Sequence, residues 1–395
     1  MRKVVVTGMG TVSCFGVGLP LFWEGLAGGV VGIGVLKTLD TSEMKITTGA
    51  EFGGFVAEDW LEKEHLLMAD RNAQFALLAA REAVAQAGLK LPEDAAIVTG
   101  CSAGGKRTED AAYWDVYREN KSRVHPLTIP KAMASAAGSL IAMEHGVEGP
   151  VFTVSTACSS ANHAIGQAMW MVRNGVVDVA LTGGSEAPFA FGLLRAWEAM
   201  RVVSPDVCRP FSLGRRGMSL AEGAGMLVIE CEEHALARGA VILGEIAGFG
   251  MSADAHHITH PKPEGAARAM RMALRDAGMR AEEVGYVNAH GTGTTANDPA
   301  ECAAVRMVLG EEVAVSSTKS MHGHALGAAG ALEVVATIEA LRRGVLPPTA
   351  GFEAEDPECG LDVIPNVARR VEVGAALSNS FAFGGLNAVL ALRRV

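Results

Sequence analysis

Short apolar runs alternate along the chain with longer stretches in which small and apolar residues recur every three or four positions. Residues 4–7, 96–99, 151–155 and 177–182 have the length and β-branched content of buried strands, whereas residues 73–87, 159–174 and 193–200 carry helical spacing. Residues 226–230 read as a further strand, and 231–239 as a charged helix stopping at Gly239. A second series opens with a strand at 241–250. It continues with helix 267–278, strand 285–289, helix 299–309, strand 313–318, helix 328–343 and strands 375–379 and 388–392. This alternation predicts an α/β protein with buried sheets. The run 177–182 meets Gly183-Gly184, which predicts an abrupt end in a loop.

Val5-Val6-Thr7-Gly8-Met9-Gly10 is echoed in type by Ile246-Ala247-Gly248-Phe249-Gly250. With no short-period repeat and no Pro/Gly/Ser linker, residues 1–240 and 241–395 read as two related halves sharing one rigid body.

Composition narrows the class. The 395 residues are 49% hydrophobic, which excludes a disordered chain, and 47 glycines foreshadow close backbone packing. A net charge of −10 argues against general nucleic-acid binding but leaves room for a local basic patch facing an acidic partner. Residues 150–172 contain no Asp, Glu, Lys or Arg, yet Ser, Thr, Asn, Gln and His interrupt them, so a buried strand and helix are expected rather than a membrane span. The first apolar run is too short for a signal peptide. Seven irregularly spaced cysteines without a CxxC pair predict reduced thiols and a cytoplasmic location.

Four segments carry candidate chemistry. Val154-Ser155-Thr156-Ala157-Cys158-Ser159-Ser160-Ala161 places a thiol where an apolar run gives way to helical spacing. Free N–H groups and the helix dipole favour a thiolate there, although an inert buried cysteine fits the same residues. Asn288-Ala289-His290-Gly291-Thr292-Gly293-Thr294 sets a histidine at a strand end, where α/β sheets bind ligands. Ser317-Thr318-Lys319-Ser320-Met321-His322-Gly323-His324 puts a lysine and two histidines before a glycine-rich helix entry. Histidine is the usual proton or charge partner of a nucleophile. Together with His256, His257 and His260 these histidines also suit a metal, but close-spaced Cys or carboxylate ligands are missing. In Ser378-Asn379-Ser380-Phe381-Ala382-Phe383-Gly384-Gly385, the glycine pair lets backbone N–H groups face a site, and the phenylalanines suit an apolar channel or gate. Gly8-Met9-Gly10 is followed by Ser13 where a dinucleotide fingerprint needs glycine, and neither a phosphate loop nor a GxSxG elbow occurs.

In this order, TACSSA, NAHGTGT, KSMHGHALGAAG and NSFAFGG resemble the β-ketoacyl-acyl-carrier-protein synthases, of the synthase II type and its nodulation-type relatives, over nearly the whole chain. The resemblance implies a thiolase-like fold of two related halves in five layers (α/β/α/β/α), and a homodimer. It implies decarboxylative Claisen condensation of an acyl group with malonyl-acyl-carrier-protein in fatty-acid or related lipid elongation. A specialised polyketide or nodulation-type ketosynthase is the alternative. A non-catalytic chain-length partner is disfavoured because such subunits lack the nucleophile, and a CoA-dependent thiolase is disfavoured by the His324 motif.

By position, the resemblance implies Cys158 as acyl-accepting nucleophile and His290 and His324 as donors to the enolate. The backbone N–H groups of Cys158 and Phe383 are implied as oxyanion donors. Lys319 is implied to pair with Glu301 and tune the field at His324, the rival role being contact with the departing carboxylate. Thr292 and Thr294 would hold the pantetheine arm, and Phe381 and Phe383 the acyl pocket, with Phe383 as gate. Asn288, Glu333, Ser378 and Asn379 would surround a structural sodium or potassium ion. Arg123 and Arg215 would dock the acyl carrier protein, whose 4'-phosphopantetheine arm leaves no other cofactor required. His322, Ala382, Leu386 and Met218 depart from the family's usual residues, and residues 63–70 are less basic, which implies altered gating or a specialised carrier.

Overall fold

The computed structural model describes residues 2–395. Ten principal strands and eight principal helices position the site. They are β1 (Val4–Ser13), α1 (Arg71–Ala87), β2 (Ala96–Gly100), α2 (Lys106–Tyr117), α3 (Ala136–His145), β3 (Val151–Val154), α4 (Ser160–Arg173), β4 (Val179–Glu186), α5 (Phe191–Met200) and β5 (Gly223–Cys231). The series continues with β6 (Gly244–Ala253), α6 (Pro263–Asp276), β7 (Tyr286–Asn288), α7 (Asn297–Leu309), β8 (Ala314–Ser316), α8 (Ala329–Arg343), β9 (Ala375–Ala382) and β10 (Leu386–Arg393).

Hydrogen bonding orders the first set of strands β3-β2-β4-β5-β1 and the second β8-β7-β9-β10-β6. In each set the first three strands pair in parallel and the last two pairings are antiparallel, so the second repeats the first strand for strand. The sets meet where Val5 pairs with Glu245 and Val6 with Gly244. Helices α4 and α8 lie between the sheets; α1 and α3 cover the outer face of the first, and α6 with α7 that of the second. The result is five layers, α/β/α/β/α.

The glycine echo has a steric cause. A Cβ on Gly8 would lie 2.0 Å from the Ala83 carbonyl oxygen of α1, and one on Gly10 would lie 2.1 Å from that of Ala79. A Cβ on Gly248 would lie 2.4 Å from the Ala273 oxygen of α6, and one on Gly250 would lie 2.1 Å from that of Ala269. Each outer helix thus rests directly on strand backbone at glycines spaced alike.

Strand β4 does not end at residue 182 but runs through the glycine pair to Glu186. Gly183 and Gly184 serve close approach rather than a turn: a Cβ on Gly183 would lie 2.0 Å from the Gly225 oxygen of β5. Helix α6 begins at Pro263, before the expected residue 267, because proline is tolerated at a helix start. The uncharged stretch 150–172 maps onto β3 and α4, and α4 is buried along much of its length between the sheets.

Gly250→Val is expected to lower unfolding free energy by about 2–3 kcal/mol in urea denaturation. Gly54→Ala, where a Cβ meets only open space, should change it by less than about 0.5 kcal/mol. Equal effects of the two would contradict the close-approach reading.

Candidate active site

Beyond β3 the chain turns sharply into α4. Ala157 adopts φ 50°, the left-handed region that a residue with a Cβ occupies at a cost. Serine hydroxyls stitch the turn: Ser160 Oγ accepts from the Thr156 N–H at 2.9 Å and donates to the Ala157 carbonyl at 2.6 Å. Ser159 Oγ donates to the Thr156 carbonyl at 2.9 Å. Cys158, 6% exposed, sits at the apex. Its burial pushes the thiol up to about 12. The Lys319 charge pulls it down, Glu186 raises it again, and the backbone N–H groups of Cys158 and Phe383 favour charge on the sulfur. The thiolate expected from the helix start is therefore outweighed by desolvation, and the resting group is a neutral thiol.

His290 follows β7, and His324 lies in the turn before α8. Their rings stand edge to face, 5.3 Å between centroids. The Lys319 ammonium lies 3.3 Å from His290 Nδ1 and donates to the His290 carbonyl at 2.6 Å. Because an ammonium only donates, His290 Nδ1 is an acceptor and its proton sits on Nε2. The Leu326 N–H donates to His324 Nδ1 at 3.2 Å, fixing the same tautomer. His324 Nε2 is buried without a protein partner. Burial, then the Lys319 charge, holds both imidazoles well below the usual range. Both histidines are thus neutral Nε2–H donors.

Lys319 does not pair with Glu301. Its ion-pair partner is Glu333, and both side chains are fully buried. Glu301 instead accepts from the His290 N–H at 2.8 Å and the Gly291 N–H at 2.7 Å, so it shapes the backbone that carries His290. Arg215, expected to dock a carrier, has a side chain only 3% exposed. It is turned inward to Asp356 and the Thr294 carbonyl, so it offers no docking cation. Arg123 is exposed, on the loop after α2.

Cys158, His290 and His324 line one cleft, together with Thr292, Thr294, Phe381 and Phe383. The threonine hydroxyls lie 2.9 Å apart. The Phe381 ring is 6.2 Å from His290, and the Phe383 ring 6.2 Å from Trp197. Ala382 has φ −99°, an extended conformation open to any residue, so alanine here carries no backbone strain. Gly384 and Gly385 supply the positive φ of the turn. Met218 lines the cleft, whereas His322 is buried elsewhere against Phe22 and hydrogen-bonds Thr318. Leu386 opens β10 and pairs with Ala382.

Asn288 Oδ1, Glu333 Oε2, Ser378 Oγ and Asn379 Oδ1 are among the buried oxygens that lack a protein partner. An all-oxygen donor set of this kind suits a hard cation. Glu186 was missed from the sequence. Its carboxylate accepts from the N–H groups of Ser102 at 2.8 Å, Gly327 at 3.1 Å and Ala103 at 3.2 Å, tying the loop after β2 and the turn before α8 to the end of β4. Its one signal was being the sole charge in the eight residues of β4.

The family models for the β-ketoacyl synthase N-terminal and C-terminal domains match residues 1–235 and 243–353. The chain belongs to the β-ketoacyl synthase family. It is 48% identical to a nodulation protein E of Rhizobium sp., over the whole of both chains. It is 39% identical to a 3-oxoacyl-[acyl-carrier-protein] synthase 2 of Staphylococcus aureus, over all of this chain and 98% of that one. Among solved structures, the ishigamide ketosynthase/chain length factor superposes with a TM-score of 0.96 at 38% identity, covering 100% of this chain and 99% of that one. A β-ketoacyl synthase from Burkholderia phymatum gives 0.94 at 33%, covering both chains fully. The fold is the thiolase-like one, and the protein is a condensing enzyme of the acyltransferase class.

Iodoacetamide alkylation of Cys158 should still be accelerating with pH at 9.0, the ordinary thiol value, because the thiol is raised. A rate plateau below pH 8 would mean a stabilised thiolate.

Proposed function

We propose that the chain elongates an acyl group by decarboxylative condensation on an acyl carrier protein. The observation that carries this reading is the pair of neutral Nε2–H donors, each fixed by a donor on its Nδ1. Cys158 takes the acyl group from a carrier thioester, and the carrier thiol leaves with the proton. Malonyl-carrier then loses carbon dioxide, and the enolate oxygen receives the two Nε2–H bonds. The enolate carbon attacks the acyl-Cys158 carbonyl, whose oxyanion is held by the N–H groups of Cys158 and Phe383, and collapse expels the thiolate. Lys319 acts by setting the His290 tautomer. Thr292 and Thr294 line the route of the pantetheine arm, Phe381 and Phe383 bound the acyl side, and Phe383 moves as gate. Residues 1–240 contribute the nucleophile half and residues 241–395 the histidine half. No cofactor is called on beyond the carrier's phosphopantetheine.

Asn288, Glu333, Ser378 and Asn379 would hold a sodium or potassium ion through their orphaned oxygens, offsetting charge at Glu333, whose carboxyl burial pushes up to about 7. A homodimer is supported by the edge of β3, where Val151 and Phe152 are 36% and 38% exposed. Seven free thiols support a cytoplasmic setting; among the described residues, no helix is long and apolar enough to cross a membrane. A specialised lipid or polyketide pathway is the second reading, favoured by the higher identity to nodulation proteins than to synthase 2. One neighbour is a type II polyketide ketosynthase bound to its acyl carrier protein.

Cys158→Ala should abolish product formation while malonyl-carrier decarboxylation continues, measured as carbon dioxide release. In that background His324→Ala should cut decarboxylation by about 10²–10³. Unchanged decarboxylation would remove His324 from the enolate site. Arg123→Glu should raise KM for the carrier-bound substrate without changing turnover of a free pantetheine thioester, and an unchanged KM would move docking off this loop.

A further inference from the structure

The loop after β6 carries a histidine cluster that the condensation does not use. Ala255 opens it at φ 48°, a strained value for alanine. Asp254 closes its base by accepting from the Lys262 N–H at 2.8 Å and from Asn387 Nδ2 at 2.7 Å. The loop is also tied to the Phe383 turn: Asp254 N–H donates to the Gly385 carbonyl at 3.0 Å, and Gly384 N–H to the Ile258 carbonyl at 2.7 Å. Within this frame the exposed imidazoles of His257 and His260 bring their Nδ1 atoms to 2.9 Å, with ring centroids 4.4 Å apart. The Thr259 N–H donates to His257 Nδ1 at 3.1 Å, so that nitrogen already presents a lone pair. Both residues line the mouth of the cleft that leads to Cys158.

Two imidazole nitrogens at about 2.0–2.1 Å from one ion, set at a right angle, stand about 2.9 Å apart, whereas a tetrahedral ion spreads them to about 3.3 Å. We propose that His257 and His260 form a two-imidazole site for a divalent ion of tetragonal or octahedral preference, of the nickel or copper type, and that the bound ion closes the cleft mouth. The ion takes the two Nδ1 lone pairs, displacing the Thr259 N–H contact and the hydrogen bond that joins the two Nδ1 atoms, and the His260 proton moves from Nδ1 to Nε2. Water completes its shell, since among the described residues no group of three His, Cys, Asp or Glu side chains is placed to hold a metal. Closure follows from position: the ion would bridge residues flanking Ile258, whose carbonyl holds the Phe383 turn, and would stiffen the loop across which the pantetheine arm enters. Binding at the pair is independent of the condensation reading; the closure step rests on it.

The test uses the full chain carrying Cys158→Ala, so that the reactive thiol contributes no ligand. Titration with nickel chloride, followed by calorimetry, should give one site per chain. Copper sulfate should give an electron paramagnetic resonance spectrum with two-nitrogen superhyperfine coupling. His260→Ala or His257→Ala should weaken nickel binding by about tenfold or more. Affinity unchanged by both substitutions, or no binding to the starting protein, would overturn the site. In the protein with Cys158 intact, nickel should suppress condensation reversibly to EDTA, and His260→Ala should remove most of that suppression. Binding at the pair without inhibition would overturn the closure while leaving the site in place. Failure of condensation without metal would instead strike the functional reading alone.

Discussion

A single buried ammonium organises the centre of this protein. Lys319 has no solvent exposure, and its charge is met by Glu333, by the His290 carbonyl and by His290 Nδ1. Breaking such a buried pair by removing one partner costs several kcal/mol, so the lysine is held in one place by the fold. From there it does two things at once. It denies His290 Nδ1 a proton, so the ring can only donate from Nε2, and its positive field adds to burial in keeping both imidazoles neutral and lowers the cost of charge on Cys158.

The proposed nucleophile is built on opposite physics. Burial and the Glu186 carboxylate disfavour a resting thiolate, while the backbone N–H groups of Cys158 and Phe383 favour charge on the sulfur. Such a site has little charge to stabilise before the reaction and preset donors once charge develops. In the proposed condensation the same donors would serve sulfur and carbonyl oxygen, because the strained turn at Ala157 and the glycine pair after Phe383 fix where they point.

Much of this was legible in the sequence. Cys158, His290 and the Phe383 turn converge as expected because each lies just beyond a strand end, readable from apolar runs cut by glycine, and His324 joins them from the glycine-rich entry to α8. The repeat of Gly8 and Gly10 as Gly248 and Gly250 reflected an internal duplication whose cause, helix on backbone, needs the fold to be seen. Long-range pairing was not legible. Lys319 has two buried carboxylates nearby, and only the packing of α8 between the sheets selects Glu333 over Glu301. Arg215 looked like a surface cation because nothing local announces Asp356, which meets it across 141 residues. Gly183-Gly184 resembled a turn because a glycine that admits a neighbouring strand and a glycine that bends the chain are identical in sequence.

The proposed condensation turns on the protonation state of two rings. Nitrogen-15 NMR of protein labelled at histidine reads it directly, since protonated and bare ring nitrogens resonate far apart. His290 and His324 are predicted to show a bare Nδ1 and a protonated Nε2, unchanged from pH 8 to pH 5. A protonated Nδ1 on either ring, or an imidazolium forming near pH 6.5, would contradict the arrangement on which the proposed condensation depends.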